Sequence, residues 1–545
     1  MVSKIKFTEE QKAAIRSNNS MVITACPGSG KTTVIVEKIR SAFESLENYQ
    51  GIIAISFTIK ASKELADKCK RNGANIKSSY IGTIDNFCLS EIIFPFISKL
   101  YGKSSNDLTC IQFGELEESY KDNLPNLSQP GVVFSTDDYR KYASEFKKHH
   151  QHGFILLEAV TIISFEIVKR SLACQRYLKA RYTSIYIDEY QDTSEPQHEL
   201  FLEIHALGLT AVAVGDVQQS IYAFRGSDPK YIRSLIEDSD SFEHHVIDLN
   251  HRCHPSIINY SNRLFSPKSA LLPVPNGEIN VFRCQFQGTQ KDIAERLGEW
   301  IKKCMKNLGI EELSEVAILT RGNYFLELLQ THLSIPAKFY KDDALSAIAS
   351  PGARLLAELL HFTFDDRRLA EQILTDFNVP KLTTKNLKKI RSSILGLRDL
   401  PMADLAVAIH QTASAIIDLP EGGREMTALK EVFASPDSLQ QYQDRSIDKV
   451  QVMTLHKSKG LEFDLVIHLD LYDWVFPYRE YTGNFDDHVY PSWDQDLNLH
   501  YVGITRAKRY CILLTSTKRI NSLGQTKNAT PSPFYNIEGL NGLFR

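Results

Sequence analysis

The chain has 545 residues, which at roughly 150 residues per domain predicts three or four domains, each able to bury its own core. Hydrophobic residues make up 43% and charged residues 24%, with 27 Gly and 20 Pro spread along the chain, which excludes disordered, fibrous and small disulfide-stapled architectures. A count of 63 Lys plus Arg against 66 Asp plus Glu leaves a net charge of -3, so a global basic field is excluded and any nucleic-acid site must be a local groove. The nine cysteines contain no C-x-x-C pair, which predicts reduced thiols and no zinc site. Met1 to Glu10 carries no apolar leader, and no run of 18 apolar residues occurs, so the expectation is a cytoplasmic protein, neither secreted nor membrane-spanning.

In chain order, the first buried strand is expected at Met21–Ala25, followed by Ala25-Cys26-Pro27-Gly28-Ser29-Gly30-Lys31-Thr32-Thr33. A second runs over Gly51–Phe57, with a helical pattern from Lys60 to Lys70. From about 95 to 180 the text reads as mostly helical, with a polar patch from Asn123 to Pro130; His149, His150 and His152 there read as exposed and unliganded. Strands resume at Ser184–Ile187 and Thr210–Val214. Continuous β-branched runs suit a parallel sheet covered on both faces. Further strands are expected at Ile279–Phe282 and Val316–Leu319, then a helical stretch from about Ala344 to Ser446 with breaks at Pro351, Pro380, Pro401 and Pro420. Strands return at Val450–Met453, Leu465–Leu469 and Tyr510–Leu514. The pattern predicts two α/β cores, each interrupted by a mainly helical insert.

The loop from Ala25 to Thr32 follows a strand and opens a helix, the context that a phosphate-binding loop needs. Backbone N–H groups and the helix N-terminus surround a phosphate, Lys31 adds a mobile cation, and the Thr32 hydroxyl can ligate Mg²⁺. Asp188 and Glu189 close a strand at its carboxyl end, where α/β sheets bind ligands. Asp188 would hold Mg²⁺ through water and Glu189 would orient or deprotonate the attacking water.

The order of motifs resembles the UvrD/Rep-like superfamily 1 helicases over nearly the whole chain. It runs from Phe7-Thr8-Glu9-Glu10-Gln11 through the phosphate loop, Phe57-Thr58-x-Lys60-Ala61-Ser62, Gly82-Thr83-Ile84-Asp85-Asn86-Phe87 and Asp188-Glu189-Tyr190-Gln191-Asp192. It continues with Gly215-Asp216-x-x-Gln219-Ser220-Ile221-Tyr222-x-Phe224-Arg225-Gly226, Leu249-Asn250-His251-Arg252, Thr454-Leu455-His456-x-x-Lys459-Gly460-Leu461-Glu462-Phe463 and Tyr501-Val502-Gly503-Ile504-Thr505-Arg506. The resemblance implies two RecA-like parallel-sheet motor domains, each interrupted by a helical insert. The first would take residues 1–94 and 181–275 around an insert at 95–180, and the second 276–343 and 447–545 around an insert at 344–446.

The resemblance also implies roles. Gln11 would pair with the adenine edge of ATP, Gln219 would contact the γ-phosphate or attacking water, and Arg252 and Arg506 would be arginine fingers on either side of the cleft between the domains. His251 would lie over the base and Glu462, after Gly460, would reach the nucleotide sugar. Phe57, Tyr222 and Phe224 would pack against bases of single-stranded DNA, with Thr83, Arg225, Thr454 and His456 beside the strand. Five positions depart from the family: His251 for Tyr, Asp85 for His, Leu497 and Asn498 for paired arginines, and Phe224 for Trp.

The implied function is an ATP- and Mg²⁺-dependent helicase moving on single-stranded DNA, probing single-strand/duplex junctions, and travelling 3′ to 5′, in DNA repair or antiviral defence. The alternative is a DNA-stimulated ATPase serving as a sensor or regulatory subunit beside a nuclease. Both inserts are short, as in compact members such as the helicase subunit of the Gabija anti-phage system. Little chain remains after Thr515, so no appended nuclease is expected and a nuclease partner is. Lys381, Lys385, Lys388, Lys389, Arg391 and Arg398 offer a basic face for duplex DNA or that partner.

Overall fold

A computed structural model of the protein describes residues 7–545 apart from 105, 107, 130, 349, 367, 378–383, 444–445 and 522–523. Pro130, Pro380 and Lys381, all singled out in the sequence, lie outside the described residues. The chain divides into two compact units, one of residues up to Cys253 with Asp494–Tyr501, the other of His254–Trp493 with Val502–Arg545. Residues 254–275 therefore group with the second unit, and 494–501 with the first.

A six-stranded sheet organises the first unit: β1 Met21–Ala25, β2 Gly51–Ile55, β3 Tyr80–Gly82, β4 Tyr182–Ile187, β5 Thr210–Gly215 and β6 Glu243–Ile247. They lie in the order β3-β2-β4-β5-β1-β6, every neighbouring pair parallel. Alternation along each strand divides the side chains between two cores. Val22, Ile53, Ile55, Ile185 and Ala213 enter one core, together with Phe87, Phe146 and Ile163 of the segment that follows β3. Met21, Ile23, Ile52, Ala54, Val212 and Val214 enter the other, beneath Val34, Ile35 and Ile39 of the helix Lys31–Glu44. Both faces are covered, which is why these strands read as unbroken apolar runs.

The first insert thus shares its core with the sheet. It is less helical than its composition suggests: Thr109–Ile111 pairs in parallel with Phe154–Leu156, and much of 112–137 is turns and short 3₁₀ segments. His149 and His150 correct the expectation of exposed histidines. Both are buried, His149 with its Nε2 3.0 Å from the Tyr120 carbonyl and His150 beside the Tyr101 ring. The helix Asp138–Gln151 turns them inward along with Tyr139, Tyr142 and Phe146.

The second unit repeats the plan with β7 Val281–Phe286, β8 Val316–Thr320, β9 Ala337–Phe339, β10 Val450–Thr454, β11 Phe463–His468 and β12 Ala507–Ser516, ordered β9-β10-β8-β11-β12-β7 and all parallel. The helix Gln290–Leu308 packs Ile293, Leu297 and Ile301 against Val316, Ile318, Val452, Leu465 and Ile467. Between β9 and β10 the helices Pro351–Phe364, Ala370–Asp376, Thr384–Gly396, Met402–Ser414 and Arg424–Ala434 hold a core of their own around Leu355, Leu359, Ile394, Ile409 and Leu429. Pro351 is the first residue of its helix and Pro401 caps the next but two, positions where the missing N–H is harmless.

Phe87 is fully buried and meets Tyr80 and Tyr182 edge-on at 5.3 and 6.3 Å, joining β3, β4 and the insert. Truncating it to Ala is expected to destabilise the first unit by about 3 to 5 kcal/mol, read as a lowered urea midpoint. An unchanged midpoint would contradict the shared core.

Candidate nucleotide and nucleic-acid site

β1 ends at the buried Ala25, and the loop after it is fixed by its own backbone. The Cys26 N–H donates to the Ile247 carbonyl of β6 at 3.1 Å, and the Ser29 hydroxyl returns to the Cys26 carbonyl at 2.8 Å. Pro27 leads into Gly28 and Gly30, whose φ angles of 72° and 82° lie in the left-handed region. At Gly28 a side chain fails on a second ground, since a Cβ would fall 2.4 Å from that of Arg252 and 2.7 Å from Asn250 Oδ1. The His251 N–H donates to the Gly28 carbonyl at 3.0 Å, and Asn250 Oδ1 accepts from the N–H groups of Arg252 and Cys253 at 2.8 and 3.0 Å. The Asn250–Cys253 turn is therefore strapped to the phosphate loop, with His251 exposed and Arg252 half-buried.

Gly30 caps the helix Lys31–Glu44 without a side-chain acceptor, and its carbonyl takes the Thr33 and Val34 N–H groups at 2.9 and 3.0 Å, which leaves those of Lys31 and Thr32 at the helix start, where Thr32 and Thr33 are half-buried. Lys31 Nζ is buried with no hydrogen-bond partner and stands 3.8 Å from Glu189 Oε1. A buried ammonium, uncapped helix N–H groups and two left-handed glycines form a cradle that fits phosphate oxygens. Gln11 reaches the same loop: its Nε2 donates to the Ser29 carbonyl at 2.9 Å while its Oε1 accepts the Thr8 N–H at 2.8 Å. One Nε2 hydrogen and one Oε1 lone pair are used in these bonds, which leaves one donor and one acceptor of the amide for an adenine edge. The Cys26 thiol donates to the Asp248 carbonyl, and burial pushes it up to about 12, with the Asp216 carboxylate adding to the effect and Lys31 opposing it. It is a packed thiol, not a nucleophile.

At the end of β4, the Asp188 N–H is held by the Ile55 carbonyl and Asp188 Oδ1 accepts the Glu189 N–H at 3.0 Å. Glu189 itself adopts φ 59° and ψ 41°, a left-handed conformation that a side chain rarely takes and that aims its carboxylate toward Lys31. From there a polar relay runs inward. Gln191 Nε2 donates to Glu189 Oε2, Gln191 Oε1 accepts the Asp216 N–H at 3.0 Å, and Asp216 Oδ2 accepts from Gln219 Nε2 at 2.6 Å. Burial raises the Asp216 carboxyl above its ordinary value, while Lys31 and the Gln219 amide oppose the rise. Gly215 makes room for the relay, since a Cβ there would meet Gln191 Oε1 at 2.5 Å.

The relay ends at a loop of aromatics. Ser220 donates to the Gln191 carbonyl at 3.1 Å, and its own carbonyl accepts from Asn498 Nδ2 at 3.0 Å. Phe57, just beyond β2, stacks on Tyr222 with ring centroids 5.3 Å apart and planes within 18°, and Tyr222 meets Phe224 edge-on at 6.0 Å. The Arg225 guanidinium lies over both Tyr222 and Phe224, and Phe224 is 43% exposed. Thr83 caps the turn after β3, its carbonyl held by the Tyr80 hydroxyl, and Asp85 beside it is exposed. The first unit thus brings together Gln11, Ala25 to Thr33, Asp188, Glu189, Gln219, His251 and Arg252, and sets Phe57, Tyr222, Phe224 and Arg225 on one loop surface.

The second unit carries Thr454 at the end of β10, His456 in the following 3₁₀ turn, Gly460 with a φ of 85° and the exposed Glu462. Arg506 is buried, its guanidinium donating to the Val502 and Leu461 carbonyls and the Thr505 hydroxyl. Gln191, Asp216, Asn250 and Asn498 were not singled out as site residues. The first three stand inside motif strings that carry the resemblance, and adjacency to Glu189, Gln219 and Arg252 was the available signal.

Two parallel sheets, a phosphate loop on the first and an acidic pair two strands away define a RecA-like nucleoside triphosphatase. Residues 10–225 match an AAA domain and residues 407–518 match the UvrD-like helicase C-terminal domain. The chain is 29% identical to Gabija protein GajB of Bacillus cereus (strain VD045), over 94% of this chain and 96% of that one. It is 24% identical to the ATP-dependent DNA helicase Rep of Buchnera aphidicola subsp. Schizaphis graminum, over 96% and 95% of the two chains, and 23% identical to the ATP-dependent DNA helicase PcrA of Staphylococcus epidermidis, over 97% and 86%. The chain belongs to the UvrD/Rep-like helicases, a family of ATP-dependent DNA helicases.

Lys31→Ala is expected to weaken nucleotide binding. Glu189→Gln should bind ATP as the wild type does and lose hydrolysis by about 10²-fold or more, the loss typical of a removed general base. Turnover by Glu189→Gln at the wild-type rate in a phosphate-release assay would remove Glu189 from the chemistry.

Proposed function

We propose that the protein hydrolyses ATP with Mg²⁺ and uses the cycle to move along single-stranded DNA, 3′ to 5′. The observation that carries this reading is the relay Glu189–Gln191–Asp216–Gln219, which joins the carboxylate beside Lys31 to the turn that opens the aromatic loop. Lys31 and the helix N–H groups would bind the β- and γ-phosphates, and Thr32 with Asp188 would hold Mg²⁺, which would neutralise phosphate charge. Glu189 would take the proton of the attacking water, with Gln219 reporting the γ-phosphate to the loop. Arg252 and Arg506 are proposed as the cations that stabilise charge in transfer, Arg506 after exchanging its bonds to backbone carbonyls. His251 would face the base, with Gly460 and Glu462 near the sugar.

Single-stranded DNA would run over Phe57, Tyr222, Phe224 and Arg225, with Thr83, Thr454 and His456 beside its backbone. Aromatic faces stack on any base at about 1 to 3 kcal/mol each, so binding should tolerate sequence and respond to salt. Single-strand/duplex junctions are the natural substrate of such a motor. The similarity to a Gabija protein over 94% of the chain favours a second reading, a DNA-stimulated ATPase that regulates a nuclease partner in phage defence. Lys385, Lys388, Lys389 and Arg391 on the helix Thr384–Gly396 are the proposed partner or duplex face, whereas Arg398 just beyond it is turned onto the Phe362, Asp365 and Arg368 carbonyls and leaves that face. No helix among the described residues is long and apolar enough to cross a membrane, and a cytoplasmic location is proposed.

Single-stranded DNA should stimulate ATP hydrolysis, and Phe224→Ala or Tyr222→Ala should raise the DNA concentration for half-stimulation by about fivefold to tenfold, the loss of one stacked base. Strand displacement should favour a 3′-tailed duplex. ATPase activity indifferent to DNA would overturn the track, and preference for a 5′ tail would reverse the polarity.

A further inference from the structure

Lys38 projects from the helix Lys31–Glu44, two turns beyond the phosphate loop, yet it is 6% exposed. Its ammonium donates to the Ala14 carbonyl at 3.0 Å and to the Ser17 carbonyl. Those carbonyls belong to the C-terminal end of the helix Glu9–Arg16, the end whose dipole favours a cation. The other end of the same short helix is closed by a reciprocal Thr8–Gln11 capping box, and from there Gln11 Nε2 holds the Ser29 carbonyl of the phosphate loop. The two helices are therefore clasped at two points, Gln11 on the loop and Lys38 on the far end. An isolated helix of this length would not persist in water, so its placement depends on such contacts.

We propose that Lys38 is a positioning residue for nucleotide binding: by gripping the C-terminal carbonyls of the helix Glu9–Arg16, it holds Gln11 against the phosphate loop. The inference rests on the reading of that loop as the ATP site. Lys38 touches no substrate in this account; it acts through Gln11. The grip is strongest when Lys38 carries its proton. Burial lowers its pKa to about 8, with the Glu243 carboxylate opposing the fall. Glu243 is itself held well below the usual carboxylate range, to about 2, by hydrogen bonds from Asn19, Ser17 and His245, so it stays ionised throughout. Among the described side chains, the other titratable or charged groups on the elements packed here are Glu9, Glu10, Lys12 and Arg16 on the first helix, Lys63, Glu64, Asp67, Lys68 and Lys70 on the helix Ile59–Lys70, and His244 and His245 on β6. Glu9 pairs with Lys12 and Glu64 with Lys68, and among the described residues Glu243 is the charge that acts on Lys38. The sign follows: the ammonium is present below pH 8 and is lost in the folded protein as pH rises through 8, so nucleotide affinity should fall over that window.

The test has two readouts on the full-length protein. Without nucleotide, amide hydrogen exchange of residues 12–17 should speed up in Lys38→Met, which reads the clasp whether or not ATP is the ligand. With ATP, Lys38→Met should raise KM about tenfold and leave kcat within about twofold, the signature of lost binding rather than lost chemistry. Wild-type KM should climb from pH 7 to pH 9.5, and in Lys38→Arg, whose guanidinium stays charged, the climb should disappear. Unchanged exchange in Lys38→Met would refute the clasp. Faster exchange with an unchanged KM, or the wild-type climb retained in Lys38→Arg, would refute the positioning role while leaving the ATP site standing.

Discussion

The buried Lys31 ammonium is the constraint from which the rest of the first unit follows. An ammonium inside a protein is expensive unless acceptors surround it, and here the nearby Glu189 stands 3.8 Å away, beyond hydrogen-bond reach. In the proposed reading the missing acceptor is a phosphate, and two features of the loop agree with it: Gly28 and Gly30 lie in the left-handed region, and the helix behind Gly30 has no side-chain cap. The strained Glu189 is the counterpart of the same arrangement, held in a left-handed conformation so that one carboxylate oxygen faces Lys31 and the other is tied to Gln191.

In the proposed reading that second tie would give the chemistry a mechanical outlet. A change in what Glu189 or Lys31 binds would alter the hydrogen bond to Gln191, whose other atom holds the backbone of Asp216, whose carboxylate in turn holds Gln219. The turn then continues through Ser220, held by Gln191 and by Asn498, into Tyr222 and Phe224. In a low-dielectric interior each of these bonds depends on the next, because any member left unpaired is costly. The aromatic loop and the phosphate loop are thus two ends of one polar network inside the first unit.

Much of this was legible in the sequence. Unbroken apolar runs placed β1, β2, β4 and β5, the loop and the acidic strand end singled out Lys31, Asp188 and Glu189, and the family resemblance singled out Gln219. Other features had no local signal. β6 was missed because Glu243, His244 and His245 are polar, as befits an edge strand with one neighbour. His149 and His150 read as surface residues beside lysines, but the helix carrying them presents that face to a core built from residues far along the chain. Gln11 was assigned to a base edge by resemblance, while its observed bonds to Thr8 and Ser29 come from the fold of the loop. Lys38 carries no motif at all, because its role arises where one helix end meets the side of another.

Whether the relay carries the state of the nucleotide site to the aromatic loop is read from the ratio of DNA-stimulated to unstimulated ATP turnover in Gln191→Ala. This ratio should fall to near one while the separately measured affinities for ATP and for single-stranded DNA stay within about twofold of wild type, because the removed side chain joins the two sites and contacts neither ligand. A stimulation ratio equal to that of the wild type would contradict the relay.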